Sequence, residues 1–298
     1  MSKQLKALVV AVTCGLALLL AAPSAPTAPL PRIPVVAAEN FYGDIVLQLA
    51  GGRVSIISIM SDPNVDPHAY ETNAKDAAAI ADARLVIRNG LGYDTFIDHL
   101  LAASPNPRRT VIVVAALTGH KEGDNPHLWY APSTMPKVAR AVVDALSQAD
   151  PQNAAFYRAR HRMFQESLQP LTRTVARLHD RHLGAPIAVT EPVFDYMARA
   201  LGLHVLTPEA FQKAIEDGVD PPAAALAQME DQLKKRQVRV LVYNTQTVSS
   251  VTRRLRQLAD ELSIPVVGVS ETEPPGKSYL QWMVGQLEQL DAALSKQR

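Results

Sequence analysis

His68 and His127 are the side chains that the sequence best equips for chemistry. Each follows a proline, in Asp66-Pro67-His68-Ala69-Tyr70-Glu71 and in Asp124-Asn125-Pro126-His127-Leu128-Trp129-Tyr130. Proline fixes its own φ at about −65° and removes a backbone donor, so it holds the following residue in a defined direction. Two imidazoles presented this way from distant parts of one chain suit a metal site that is completed elsewhere. The single cysteine, Cys14, lies within an N-terminal apolar run. The remaining ligands must therefore be histidines or carboxylates.

The elements that must position these residues are legible as apolar runs. Strand patterns cover Ile33–Ala38, Arg53–Ile59, Leu85–Ile87 and Thr110–Val114. Helical spacing covers Phe41–Leu49, Asp76–Ala83 and Met135–Ser147. A long helical pattern then starts at Asp150-Pro151 and runs to about His182, with apolar positions from Phe156 to Leu178 stepping by threes and fours. At roughly 1.5 Å per residue it would span about 45 Å, which suits a strut between two lobes. Pro170 lies inside it and should kink or break it. The alternation resumes with strands Gly184–Thr190, Val238–Tyr243 and Pro265–Val269, and helices Val193–Leu201, Thr252–Leu262 and Tyr279–Leu294. Strands alternating with helices argue for α/β lobes with mainly parallel sheets. The expected organisation is an N-terminal α/β lobe over 33–150, a linking helix over 151–183 and a C-terminal α/β lobe over 184–298.

In α/β sheets, ligands bind at the carboxyl ends of strands. Two carboxylates stand at such ends in the second lobe. Glu191 follows the strand ending at Thr190, in Glu191-Pro192-Val193-Phe194-Asp195-Tyr196. Glu271 follows the strand ending at Val269, with Glu273 as a competitor two residues on. Each lobe would then contribute two ligands to an ion held in the cleft between them. Two imidazoles and two carboxylates can hold Zn²⁺, or Mn²⁺ if a carboxylate binds through both oxygens, and ligand hardness leans slightly to Mn²⁺. Asp66 and Asn125 could orient the histidines, and Tyr93 could line the cleft. Trp129 and Tyr130 read as packing, Asp195 as solvent-facing or supporting, and His99, His161, His179 and His182 as solvated helix positions. His120 reads as a loop residue.

These motifs resemble the metal-binding solute-binding proteins of ABC importers for zinc and manganese, the cluster A-I or TroA-like family. The resemblance runs from about Val35 to Leu294. It rests on Pro-His-Xaa-Tyr-Glu, Asn-Pro-His-Leu-Trp, the long linking helix, Glu-Pro-Val-Phe-Xaa-Tyr and the C-terminal Gly-Lys-Ser-Tyr-Xaa-Xaa-Trp-Met. It implies two lobes joined by one rigid helix with one metal bound between them. Its four ligand positions fall on His68, His127, Glu191 and Glu271, the last a departure from the usual aspartate. The stretch before His127 is short and holds only His120, without the long His-rich loop of many zinc members. The implied partner is a membrane permease, and the implied protein is a monomer that captures Mn²⁺ or Zn²⁺ and is not an enzyme.

The rest of the composition agrees. The 298 residues carry 47% hydrophobic and 20% charged side chains, enough to bury two cores. Thirty basic and 29 acidic residues give a net charge of +1, no basis for nucleic-acid binding. Lys3 and Lys6 precede an apolar run from Ala7 to Ala22, the pattern of a secretory signal over about 1–28, which predicts a periplasmic protein with no membrane insertion after its removal. Ala11-Val12-Thr13-Cys14 is a poor lipobox. No phosphate loop and no nucleophile elbow occur. The competing reading is a secreted metallohydrolase with a His-His-Glu site. It lacks a His-Glu-Xaa-Xaa-His helix.

Overall fold

The computed structural model describes residues 32–65, 67 and 70–296. His68, Asp66, Ala69 and the expected signal segment with Cys14 lie outside the described residues.

The first half builds strands β1 (Ile33–Glu39), β2 (Val54–Met60), β3 (Leu85–Arg88) and β4 (Thr110–Val113). They form one parallel sheet in the order β2-β1-β3-β4. Helices α1 (Asn40–Ala50), α2 (Ala74–Asp82), α3 (Thr95–Ala103), α4 (Val114–Thr118) and α5 (Thr134–Ala149) connect and cover it. Then come α6 (Ala154–Ser167) and α7 (Gln169–His182). The second half adds β5 (Pro186–Val189), α8 (Asp195–Ala200), β6 (His204–Val205), α9 (Glu209–Glu216), α10 (Ala223–Lys234), β7 (Leu241–Asn244), α11 (Ser250–Glu261), β8 (Val266–Val269) and α12 (Tyr279–Ser295). Its parallel sheet runs β6-β5-β7-β8. The two parallel-sheet α/β lobes expected from the alternation are present. The sequence pattern marks nothing between Leu201 and Val238, where β6, α9 and α10 lie. A two-residue strand and helices interrupted by Asp217-Gly218 and Pro221-Pro222 leave no long periodic run to read.

The long helical pattern is two helices. It breaks at Leu168, which keeps near-helical dihedrals (φ −78°, ψ −9°), and Pro170 sits in the first turn of α7. Proline has no N–H to give and its ring clashes with the carbonyl four residues back, so a first-turn position is where it fits best. Helix α6 packs on α1 and α5, and α7 packs on α12. His182, expected on a solvated face, is instead buried. Its Nε2 lies 2.7 Å from Asp291 Oδ1, and Arg177 and Arg181 reach the same carboxylate, fastening α7 to α12.

The main apolar core is continuous across both lobes. Phe41 of α1 lies 4.7 Å from Trp129 and 5.9 Å from Trp282 of α12, centroid to centroid, and Tyr130 lies 6.0 Å from Trp282. Trp282 Nε1 donates to Ser270 Oγ, and Tyr279 Oη donates to the Trp129 carbonyl at 2.7 Å. The Gly-Lys-Ser-Tyr segment is therefore structural: Ser278 caps α12 through a capping box with Gln281, and Tyr279 N–H donates to Asp44 Oδ2. Among the described residues no helix is long and apolar enough to cross a membrane.

A shared core predicts shared unfolding. Trp282→Ala should cost about 3–5 kcal/mol. Urea denaturation followed by circular dichroism should still give one transition, and two separated transitions in the parent protein would count against a common core.

Candidate metal centre

His127 enters the seam from the loop before α5. The turn is set by Asn125, whose Oδ1 accepts both the His127 backbone N–H (2.9 Å) and its Nδ1–H (2.7 Å). Asn125 Nδ2 donates to the Pro192 carbonyl of the other lobe, and Tyr196 Oη returns a bond to the Asn125 carbonyl. From below, Asn89 Nδ2 donates to the Pro126 carbonyl, and Asn89 Oδ1 accepts from Tyr42 Oη. A proton held at Nδ1 leaves Nε2 as the donor nitrogen. That Nε2 faces Glu271 Oε2 at 3.3 Å across the seam. The imidazole and both carboxylates, Glu191 and Glu271, are fully buried.

Tyr93 lines the seam and also packs in it. Its Oη donates to Glu271 Oε2 at 2.9 Å, while its ring lies 5.0 Å from that of Trp129. The loop that carries it turns through three consecutive left-handed residues, Gly90, Leu91 and Gly92, at φ 87°, 58° and 80°. A Cβ at Gly90 would crowd Val113 and Ala115 at 3.1–3.2 Å, so only glycine serves there. Asp94 ties the loop by accepting from the Asn89 and Gly90 backbone N–H groups. Glu39, buried at the end of β1, packs against Asp94. Its pKa is pushed well up by burial and then by that neighbouring charge.

Glu191 and Glu271 are joined by a residue that the sequence reading passed over. Asn244 Nδ2 donates to Glu191 Oε2 and to Glu271 Oε1, both at 2.7 Å. It ends β7, the strand between β5 and β8, and the two glutamates stand two residues beyond the ends of those neighbours. The strand-end criterion applied to Asn as well as to His and carboxylates would have found it. Gln246 supports the same loop: its Oε1 accepts the Glu271 and Thr272 backbone N–H groups, and its Nε2 donates to the Val65 carbonyl of the other lobe.

Glu273 turns elsewhere. Its backbone is clasped by Asn40 through both N–H and carbonyl. Its carboxyl is buried and pushed up to about 9, by burial first and by Asp44 second. Asp195 is half-buried rather than solvent-facing, and burial lifts it to about 6. It lines a cavity of about 630 Å³ with Tyr93, Asn125, Gln212 and Glu216, and Glu216 Oε1 comes within 3.8 Å of His127 Nδ1. Among the described residues, no three His, Cys, Asp or Glu side chains form a group that could hold an ion. The structure brings His127 against Glu271, and Glu271 against Glu191 through Asn244, with His68 outside the described residues.

Two parallel-sheet lobes with buried imidazole and carboxylate groups meeting at strand ends along their seam define a two-lobed binding protein. The chain belongs to the periplasmic zinc-uptake complex component A family, whose model matches residues 35–293. A Treponema pallidum protein described as metal-binding is 26% identical over 292 residues, covering 89% of this chain and 88% of that one. The manganese ABC transporter substrate-binding lipoprotein PsaA of Streptococcus pneumoniae is 22% identical over 289 residues, covering 89% and 90%. Among solved structures, the periplasmic zinc-binding protein TroA from Treponema pallidum superposes with a TM-score of 0.75 at 20% identity, covering 89% of this chain and all but 1% of that one.

The Glu273 carboxyl predicts a pH effect on stability. The folded chain holds its proton between the ordinary value of 4.5 and about 9, whereas the unfolded chain releases it. Stability contributed at this position therefore falls as pH rises through that window. In chelator-treated protein, Glu273→Gln should raise the thermal midpoint at pH 8 and leave it nearly unchanged at pH 4; equal shifts at both would contradict the burial account.

Proposed function

We propose that the chain is an extracytoplasmic solute-binding protein that captures one divalent transition ion, Mn²⁺ or Zn²⁺, and delivers it to the membrane permease of an ABC importer. His68, His127, Glu191 and Glu271 hold the ion, two from each lobe, and two carboxylates balance its charge. The observation that carries the reading is His127 Nε2 facing Glu271 Oε2 at 3.3 Å, both side chains buried, with Nδ1 engaged by Asn125. An imidazole lone pair and a carboxylate oxygen repel at that distance unless a proton or a cation lies between them. Membership of a metal-uptake family and the relatives named for manganese and zinc support the same cargo. The protein acts as a monomer without catalytic turnover, and docking on the permease favours the open state that gives up the ion.

The mature protein, dialysed against metal-free buffer and loaded with excess ion, should retain one equivalent by elemental analysis. His68→Ala with His127→Ala should retain none. Affinity should weaken as pH falls, because protons compete for the imidazoles. Unchanged stoichiometry in a folded double variant would overturn the assignment.

A further inference from the structure

We infer that the cavity of about 630 Å³ between the lobes is a second cation site, one that takes a divalent ion with its water shell intact. Among the described residues, its wall is built by the 91–93 and 122–126 loops of the first lobe and by Pro192, α8 and α9 of the second. Glu122, Asp124, Asp195, Glu209, Glu216 and Asp217 bring six carboxylates to it, against the two cations Arg199 and Lys213. Lys213 is already engaged by Asp217 at 2.6 Å and by Glu216 Oε2 at 3.4 Å. An acidic rim alone is an ordinary solvated surface, but the inner wall is not. Gln212 is 7% exposed and the Glu216 side chain 8%. Gln212 Nε2 donates to the Thr207 carbonyl at 3.1 Å, which leaves Oε1 as the open end of the amide. Gln212 Oε1, Glu216 Oε1 and Asp195 Oδ1 are all buried without a hydrogen-bond donor. Three such acceptors on one wall call for a cation or for a ligand that donates, since a buried acceptor left unpaired costs its full desolvation.

Direct chelation does not fit this wall. Among the described residues no three His, Cys, Asp or Glu side chains form a group that could hold an ion. Acceptors spread over a surface suit an ion that keeps its waters, because the hydrogens of those waters point outward and donate. Small hard divalent ions give up that shell reluctantly. Six waters at roughly 30 Å³ each fill about 180 Å³, so a hexaaqua ion fits the cavity with room to turn. The excess of carboxylates disfavours an anion. The cavity also adjoins the seam. Tyr93 and Asn125 stand in its wall and, on their other side, bond Glu271 and His127. Glu216 Oε1 lies 3.8 Å from His127 Nδ1, beyond hydrogen-bond reach. An ion held here is one layer of side chains away from the seam, and its presence raises the local concentration of cargo. That role as an antechamber rests on the metal-capture reading above; the cavity's affinity for a hydrated ion does not.

Hexaamminecobalt(III) is the probe, because its six ammine ligands do not exchange and it can bind only through their N–H groups. Calorimetric titration of chelator-treated protein at low ionic strength should show one equivalent bound, more weakly as salt is added. A crystal soaked in the same complex should show cobalt anomalous scattering inside the cavity. Asp195→Asn with Glu209→Gln should weaken the complex by about tenfold and slow the association of Mn²⁺ in stopped flow by a similar factor, with its release rate unchanged. No binding by the parent protein, or cobalt only outside the cavity, would overturn the proposal, and the soak decides this even if the variant does not fold. So would unchanged affinity for the complex in a folded variant. Weakened binding of the complex with an unchanged Mn²⁺ association rate would support the site and overturn its antechamber role. A parent protein that binds the complex in the cavity but retains neither Mn²⁺ nor Zn²⁺ by elemental analysis would support the site and overturn the metal-capture reading instead.

Discussion

The structure depends on one apolar core that runs through both lobes. Phe41 and Trp129 from the first half interleave with Trp282 and Tyr279 from the second, and the Tyr279 and Tyr130 hydroxyls donate across the seam to the Trp129 and Ser270 carbonyls. Opening the lobes widely would expose large aromatic surfaces, at about 25 cal/mol per Å². His127, Glu191 and Glu271 are buried there, and such side chains act in a low-dielectric setting where each charge must be matched. The successive helices α6 and α7 each pack on a different lobe beside this core.

Strand order supplies the rest of the arrangement. In the second lobe β7 lies between β5 and β8, so the residue that ends it is flanked by the residues that follow both neighbours. An amide there touches two carboxylates at once, and no other strand of the sheet has that position. Gln246, two residues on, grips the backbone of the Glu271 loop and reaches the loop that leads to the first Pro-His pair. The site is thus supported from the inside of the second sheet, while the first lobe supports His127 through Asn89 and Asn125.

Much of this was legible in the sequence, for identifiable reasons. Parallel strands read as apolar runs, largely buried in β1, β3 and β5 and partly exposed in the edge strand β2. The Pro-His pairs and the strand-end glutamates stood out because their side-chain types are rare at such places. Asn244 and Gln246 did not, because amides at strand ends are common and their role comes from the neighbours that strand order provides, which no linear pattern displays. His182 was misjudged because its partner, Asp291, lies far along the chain. The break at Leu168 was placed two residues late, because a proline dictates what precedes it as much as where it stands.

Asn125 spends its amide on both sides of the seam: its oxygen takes the two N–H groups of His127, and its nitrogen holds the Pro192 carbonyl of the other lobe. The imidazole and the lobe contact are therefore not separate joints. Any movement that pulls Pro192 away also loosens the ring, and any loss of ring alignment weakens the hold on Pro192. One side chain carries both contacts, so ring orientation and lobe spacing are coupled rather than independently adjustable.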